Sequence, residues 1–172
     1  MSELLVRKAR KGDDDAFCRL MDLHLQSIYK IAWSYLKNEE DVADVIQETT
    51  LTCYEKIGAL KQDRYFKTWI IRILINKCKD CLNRKNRMIC TDIMPEIPFY
   101  EEDYEIAEWN QILEPLDEKY RTILLLYYME GFNTREIARI LEMKESTVKS
   151  RLLRGRKQTA QIYENKFREG KV

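Results

Sequence analysis

Lys149, Ser150, Arg151 and Arg154 crowd one short stretch of this chain, together with Arg156 and Lys157. Between Lys144 and Lys157 there are six Lys/Arg and one acid, Glu145. Ammonium and guanidinium groups neutralise phosphates and donate to base edges, and short hydroxyl side chains bond to either, so the set suits duplex DNA. A second set lies upstream, where Tyr65, Phe66 and Trp69 interleave with Lys61, Arg64, Lys67, Arg72 and Lys77. Rings that stack on bases, set among cations that follow the backbone, are what single-stranded DNA needs. Asn76, one helical face along from Arg72, offers an amide able to hold an unpaired base. Each set has a plainer reading. A basic helix can be a solvated face, and Phe66 and Trp69 can be core residues of a helical bundle.

Catalytic chemistry finds no comparable cluster. There is one histidine, His24, with no glycine-rich phosphate loop and no convincing metal spacing, so no nucleophile, base or cofactor site is expected. The five cysteines are Cys18, Cys53, Cys78, Cys81 and Cys90. Cys78 and Cys81 form a C-x-x-C pair that Cys90 and His24 could complete as a zinc site. That pattern lacks a second close pair, and both cysteines fall in a helical stretch where they can pack as small apolar residues. No metal, cofactor or small-molecule ligand is expected. The chain has no apolar run long enough to span a bilayer, and its first residues, MSELLVRKARKGDDD, lack a signal peptide's apolar core; a cytoplasmic protein with free thiols is expected.

The elements that must position these residues are helical. Only five glycines and three prolines leave little room for a turn-rich β fold. Three-four spacing predicts a leader helix near Ser2–Lys11 and a helix over Ala16–Leu36 with Phe17, Leu20, Leu23/His24, Ile28, Ile31/Ala32 and Tyr35 on its apolar stripe. A third helix runs from Asp41 to about Leu60 through Val42, Val45/Ile46, Cys53 and Ile57. A fourth runs from about Tyr65 to Lys85 with Trp69, Ile70, Ile73, Leu74 and Cys81 for the core. Pro95 and Pro98 mark Met88–Asp103 as an extended linker. Helix resumes over Tyr104–Leu113 and Glu118–Glu130. Asn133–Arg156 then reads as a helix-turn-helix: Gly131 closes the preceding helix, Asn133 and Glu136 signal an N-terminus, and Val148 and Leu152 continue an apolar face.

Charge follows the same division. Lys56–Cys90 holds ten basic residues and two acids, and Thr91–Glu118 holds ten acids and no Lys or Arg. Two positive blocks separated by an acidic stretch suggest two nucleic-acid surfaces and a connector. The fold class is therefore all-α, with two small helical domains joined by an extended acidic linker. The expected boundaries are residues 1–88, a linker at 89–103, a helix-turn-helix domain at 104–165 and a tail at 166–172.

Taken in order, the motifs resemble the extracytoplasmic-function sigma factors of the bacterial sigma-70 family, over about Leu5 to Tyr163. Asp41-Val-Ala-Asp44-Val-Ile-Gln47-Glu48 is similar to that family's D-x-x-D-x-x-Q-E, and Phe66-Lys-Thr68-Trp69-Ile-Ile-Arg72-Ile73-Leu-Ile-Asn76 to its F-x-T-W-L-x-R-I-A-x-N. Leu116–Arg121 and Gly131–Ala138 look like the family's region 4 entry and first helix, and Thr147–Arg151 like its recognition helix. Two places depart. Thr50 stands where an aromatic commonly follows Q-E-x, which implies altered packing under that helix. The loop Lys61-Gln-Asp-Arg-Tyr65 lacks a glycine often found there, leaving the base preference at the −10 element open.

The resemblance implies a sigma-2 domain for polymerase binding and −10 melting, and a sigma-4 domain for the −35 element. Asp41, Asp44, Gln47 and Glu48 would meet the clamp helices of the largest subunit of core RNA polymerase, whose flap is a further expected contact. Lys61, Arg64, Phe66, Lys67, Trp69, Arg72 and Asn76 would capture the melted −10 strand. Arg135, Thr147 and Arg151 would hold phosphates of duplex −35 DNA, with Lys149, Ser150 and Arg154 toward its bases. A membrane-bound anti-sigma factor is the implied regulator. The acidic linker either threads the basic channel where RNA leaves the polymerase or serves as a solvated tether. The rival reading is a helix-turn-helix regulator that acts by occupying an operator; it leaves the Asp41 helix and the aromatic-basic helix unexplained.

Overall fold

In the computed structural model residues 2–88 and 113–168 are described. The chain divides into two units, Met1–Ile97 and Pro98–Val172, and every regular element of the described residues is helical. The expected linker and the expected helix at Tyr104–Leu113 lie outside the described residues, apart from their end residues Met88 and Leu113.

The first unit holds α1 (Ser2–Ala9), α2 (Asp14–Leu36), α3 (Glu39–Lys56) and α4 (Phe66–Met88). Local chemistry sets their starts. The Asp13 carboxylate accepts from the Ala16 N–H at 2.9 Å and the Asn38 amide oxygen accepts from the Asp41 N–H at 3.0 Å, each satisfying a donor that the first turn leaves orphaned. α2 ends on Lys37 in the left-handed region (φ 48°), whose N–H returns to the Trp33 carbonyl. Ile57–Ala59 and Asp63–Tyr65 tighten into 3-10 turns between α3 and α4.

α2 packs on α1, α3 and α4, and α3 packs on α4. Leu20, Ile28, Ile31, Ile70, Ile71, Leu74 and Ile75 are fully buried between them, each contributing at most about 1.5–3 kcal/mol of burial. The core stripe of α4 differs from the expected one. Ile71, Ile75 and Cys78 are buried, while Trp69 and Ile73 are only half-buried. Because α4 meets both α2 and α3, its buried face is broader than a single three-four stripe, and it turns Trp69 toward the rim. Leu23, expected on the stripe of α2, is 61% exposed.

The second unit holds α5 (Glu118–Leu124), which widens into a π turn over Leu125–Met129, then α6 (Thr134–Ile140) and α7 (Glu145–Arg168). Gly131 takes a φ of 72°, where a Cβ would be strained. The capping box at α6 is complete, with Asn133 accepting from the Glu136 N–H and Glu136 accepting from the Asn133 N–H. Ile123, Leu126, Ile137, Ile140 and Val148 form the core. α7 also packs on α5, and Gly155 sits close against it: a Cβ there would lie 3.2 Å from Leu124 Cδ1. A mid-helix glycine costs about 1 kcal/mol in propensity and here it seats one helix on another. α7 is longer than the sequence pattern indicates, running past residue 165 into the expected tail.

Candidate nucleic-acid interfaces and the acidic helix

On α3 the four motif residues, three acids and Gln47, split in two. Asp41 pairs with Lys85, and Glu48 pairs with Lys77 at 3.2 Å and with Arg84 at 3.6 Å. These three bridges lash α3 to the basic half of α4. Asp44 and Gln47 are exposed on the same helix. Their surface is bordered by an apolar groove of about 430 Å³ lined by Phe17, Ile46, Thr50, Leu51 and Tyr54. The Thr50 hydroxyl donates to the Ile46 carbonyl at 2.8 Å, so the short residue found where the family has an aromatic folds onto its own helix and the groove stands open beside it. Across the mouth, the Tyr54 hydroxyl donates to Asp14 at 2.9 Å, and this bond raises the Tyr54 pKa.

The aromatic-basic set on α4 also divides. Phe66 is 2% exposed, its ring 5.5 Å from His24 and 5.9 Å from Trp69. It presents no face to a base and acts as the floor on which Trp69 rests, as the core reading anticipated. Trp69 is half-buried, and Arg72 and Asn76 are exposed at the i+3 and i+7 positions from it, so these three share one outward strip. Lys67 is half-buried at its start, and Lys61 and Arg64 are exposed on the loop before it. The Arg64 guanidinium lies 4.7 Å over the Tyr65 ring and its Nε donates to Gln62 at 3.1 Å.

That loop is anchored by a residue the sequence reading passed over as one of two acids in a basic run. Asp63 accepts from Arg10 at 2.6 Å and pairs with Arg7 at 3.6 Å, joining α1 to the turn that presents Lys61 and Arg64. Its only signal in the sequence is that it interrupts the basic block.

In the helix-turn-helix, Ser150 and Arg154 lie on the exposed side of α7, opposite the buried Val148 and Leu152. Ser150 donates its hydroxyl to the Thr147 carbonyl at 3.0 Å, which leaves its lone pairs for a donor on DNA. Leu153, 55% exposed beside them, was missed by reading charge alone; an apolar side chain there suits a thymine methyl. Thr147 and Arg151 are half-buried at the flank, Arg151 with its guanidinium 4.0 Å from the Met143 sulfur. Arg135 and Lys149 are exposed, and both pair with Glu145, at 3.5 and 2.9 Å. Arg156 stacks on Tyr127 and Tyr128 at 5.5 and 5.4 Å, so it ties α7 to the π turn.

Cys53, Cys78 and Cys81 are buried, and burial pushes the Cys53 thiol up to about 12. No metal-holding cluster occurs among the described residues, and Cys90 lies outside them. No described helix is long and apolar enough to cross a membrane.

A helical unit with an aromatic-amide strip at its surface and a second with a basic helix-turn-helix are the features of a nucleic-acid-binding protein. Residues 20–88 match Sigma-70 region 2 and residues 106–159 match Sigma-70, region 4. The ECF RNA polymerase sigma factor SigW of Bacillus subtilis is 28% identical over 170 residues, covering 88% of this chain and 90% of SigW. RNA polymerase sigma factor SigV of the same organism is 30% identical over 138 residues, covering 78% of this chain and 82% of SigV. The solved structure of CnrH in complex with the cytosolic domain of CnrY superposes with a TM-score of 0.73 at 25% identity, covering 95% of this chain and 97% of that one. The chain belongs to the extracytoplasmic-function sigma factors of the sigma-70 family, and it is an alternative sigma factor of transcription initiation.

Proposed function

We propose that the two units divide promoter recognition between them while α3 docks the chain on core RNA polymerase. Asp44 and Gln47 are the leading contacts to the clamp helices of the largest subunit, because Asp41 and Glu48 already bind α4. Glu48, part-exposed, is shared between α4 and the polymerase. Trp69, Arg72 and Asn76 receive the melted −10 strand, with Trp69 stacking and Asn76 holding an unpaired base. Lys61, Arg64 and Lys67 follow its backbone. Ser150, Lys149 and Arg154 read duplex −35 bases, and Arg135, Thr147 and Arg151 take phosphates. The chain supplies binding and positioning and leaves catalysis to the polymerase. It works in the cytoplasm, restrained by an anti-sigma factor at the membrane; the structure of CnrH in complex with the cytosolic domain of CnrY supports a protein partner. The acidic linker, outside the described residues, is read as the segment that enters the RNA exit channel.

One observation carries the reading. A single chain exposes both the strip Trp69, Arg72 and Asn76 and the basic side of α7, a pairing an operator-occupying regulator does not need. Co-purification with core polymerase, followed by run-off transcription from a promoter recovered by sequencing transcripts after forced expression, tests it. Retention on core and initiation at defined −10/−35 pairs is the expected result. Operator binding without either supports the regulator instead.

A further inference from the structure

At the seam of the helix-turn-helix, one carboxylate holds three donors. Glu145 opens α7, and its Oε1 accepts from Thr134 Oγ1 at 2.8 Å and from Lys149 Nζ at 2.9 Å, while its Oε2 lies 3.5 Å from Arg135 Nε. The acid is the inner member of the group. Its side chain is 32% exposed, against 81% for Arg135 and 63% for Lys149. It is also the single acid among the basic residues of Lys144–Lys157. These bonds draw the carboxylate below the usual range, the Lys149 bond first and the Thr134 bond next.

We propose that Glu145 is a positioning residue that sets how strictly the second unit discriminates among −35 sequences, by holding Arg135 and Lys149 in one arrangement across the α6–α7 seam. The proposal rests on the reading of this unit as the −35 reader. Two physical effects combine. Arg and Lys side chains sample many rotamers when free, and a shared acceptor restricts both before DNA arrives. Arg135 is held by charge at 3.5 Å and keeps its N–H groups for a phosphate, and Lys149 keeps donors beyond the one it commits to Glu145. The carboxylate also repels phosphate, so DNA that offers no partner to the aimed cations is disfavoured. Glu145 thus lowers attraction to DNA at large and keeps the sequence-dependent part. A purely structural role, an acid favouring the start of α7 through the helix dipole, would share the repulsion but would not tie the −35 preference to the charge.

The test uses holoenzyme reconstituted from the full chain and core polymerase, with selection from a promoter library randomised through the −35 element and salt titration on non-promoter duplex. Glu145→Gln keeps an acceptor for Thr134 and removes the charge. It is expected to flatten the −35 preference at the positions nearest the start of α7. It is also expected to steepen the slope of log affinity against log salt on non-promoter DNA by about one. Thr134→Val breaks only the hydroxyl bond and should keep the wild-type preference and slope. If Glu145→Gln selects the wild-type sequences with the wild-type slope, the positioning role is overturned; equal flattening in both variants overturns it too, because the seam and not the charge would then set the preference. Arg154→Ala separates this from the parent reading. If it also leaves the −35 preference intact, the assignment of α7 as the reader fails. An altered Arg154→Ala beside an unaltered Glu145→Gln removes only the role of Glu145.

Discussion

The two units put their ion pairs to different uses. In the first, two acids of α3 bind three cations of α4, so much of the basic block around Lys77–Lys85 serves to hold the bundle. In the second, one acid binds two cations of the surface assigned to DNA. Counting charges along the chain makes both regions look like basic faces. In the first unit the pairs subtract charge from the surface proposed for DNA and leave the strip Trp69, Arg72 and Asn76 as its proposed centre. In the second they arrange charge that stays on the surface. Exposed pairs of this kind stabilise by only about 0–1 kcal/mol each, so their main consequence is which side chains are left for a partner.

The comparison is broken or sharpened most strongly on α4. Phe66→Ala should lose about 3–5 kcal/mol of stability in the first unit, as emptied aromatic core positions do, measured by denaturant unfolding. Trp69→Ala should lose far less stability and instead lower promoter opening, by about 1–3 kcal/mol for a lost stacking partner. Equal stability losses would place Trp69 in the core and erase the strip. On α3, Asp44→Ala combined with Gln47→Ala should weaken core polymerase binding by about 2 kcal/mol, the scale of an interface hot spot. Glu48→Ala should weaken it less, which a titration of labelled core would resolve. A dominant effect of Glu48 would mean that polymerase displaces Lys77 and Arg84.

On α7, Arg154→Ala should relax discrimination at one −35 position by about 1–3 kcal/mol. Arg135→Ala should instead weaken binding to all sequences and lower its salt dependence, as competition binding over a series of salt concentrations would show. Indistinguishable outcomes would undo the division between base and phosphate contacts. The smallest effect is on the core side of α3. The Thr49 hydroxyl is buried with no partner among the described residues, and Thr49→Val should raise stability by about 1 kcal/mol, visible as a higher Tm.

Much of this was legible in the sequence because helix periodicity and caps are local. Asn133 with Glu136 closes the box its spacing announces, whereas Asp13 and Asn38 start α2 and α3 two residues before the expected Ala16 and Asp41. The motifs of α3, α4 and α7 located the surfaces. Individual duties were not legible, because they depend on neighbours far away in the chain. Phe66 and Trp69 are alike by type and three residues apart, yet one is core and the other rim, because α2 and α3 both press on α4. Asp41 and Glu48 carry the same motif as Asp44 and Gln47, and only the return of α4 past them decides which are occupied. The end of α7 at Arg168 lies past the expected boundary at residue 165 for a different reason: Gly155 looks helix-weakening until Leu124 is found against it, and the exposed Arg156 rests on Tyr127 and Tyr128.

The bond between Asp63 and Arg10 makes the shape of the loop before α4 a long-range property of the fold. Fifty-three positions separate the two residues, and the cation belongs to the segment just after α1, at the very start of the described chain. Trimming those first residues, or burdening them with a tag, would therefore alter the presentation of Lys61 and Arg64 without touching either. For anyone engineering promoter preference into this scaffold, α1 and Arg10 count as part of the proposed −10 surface.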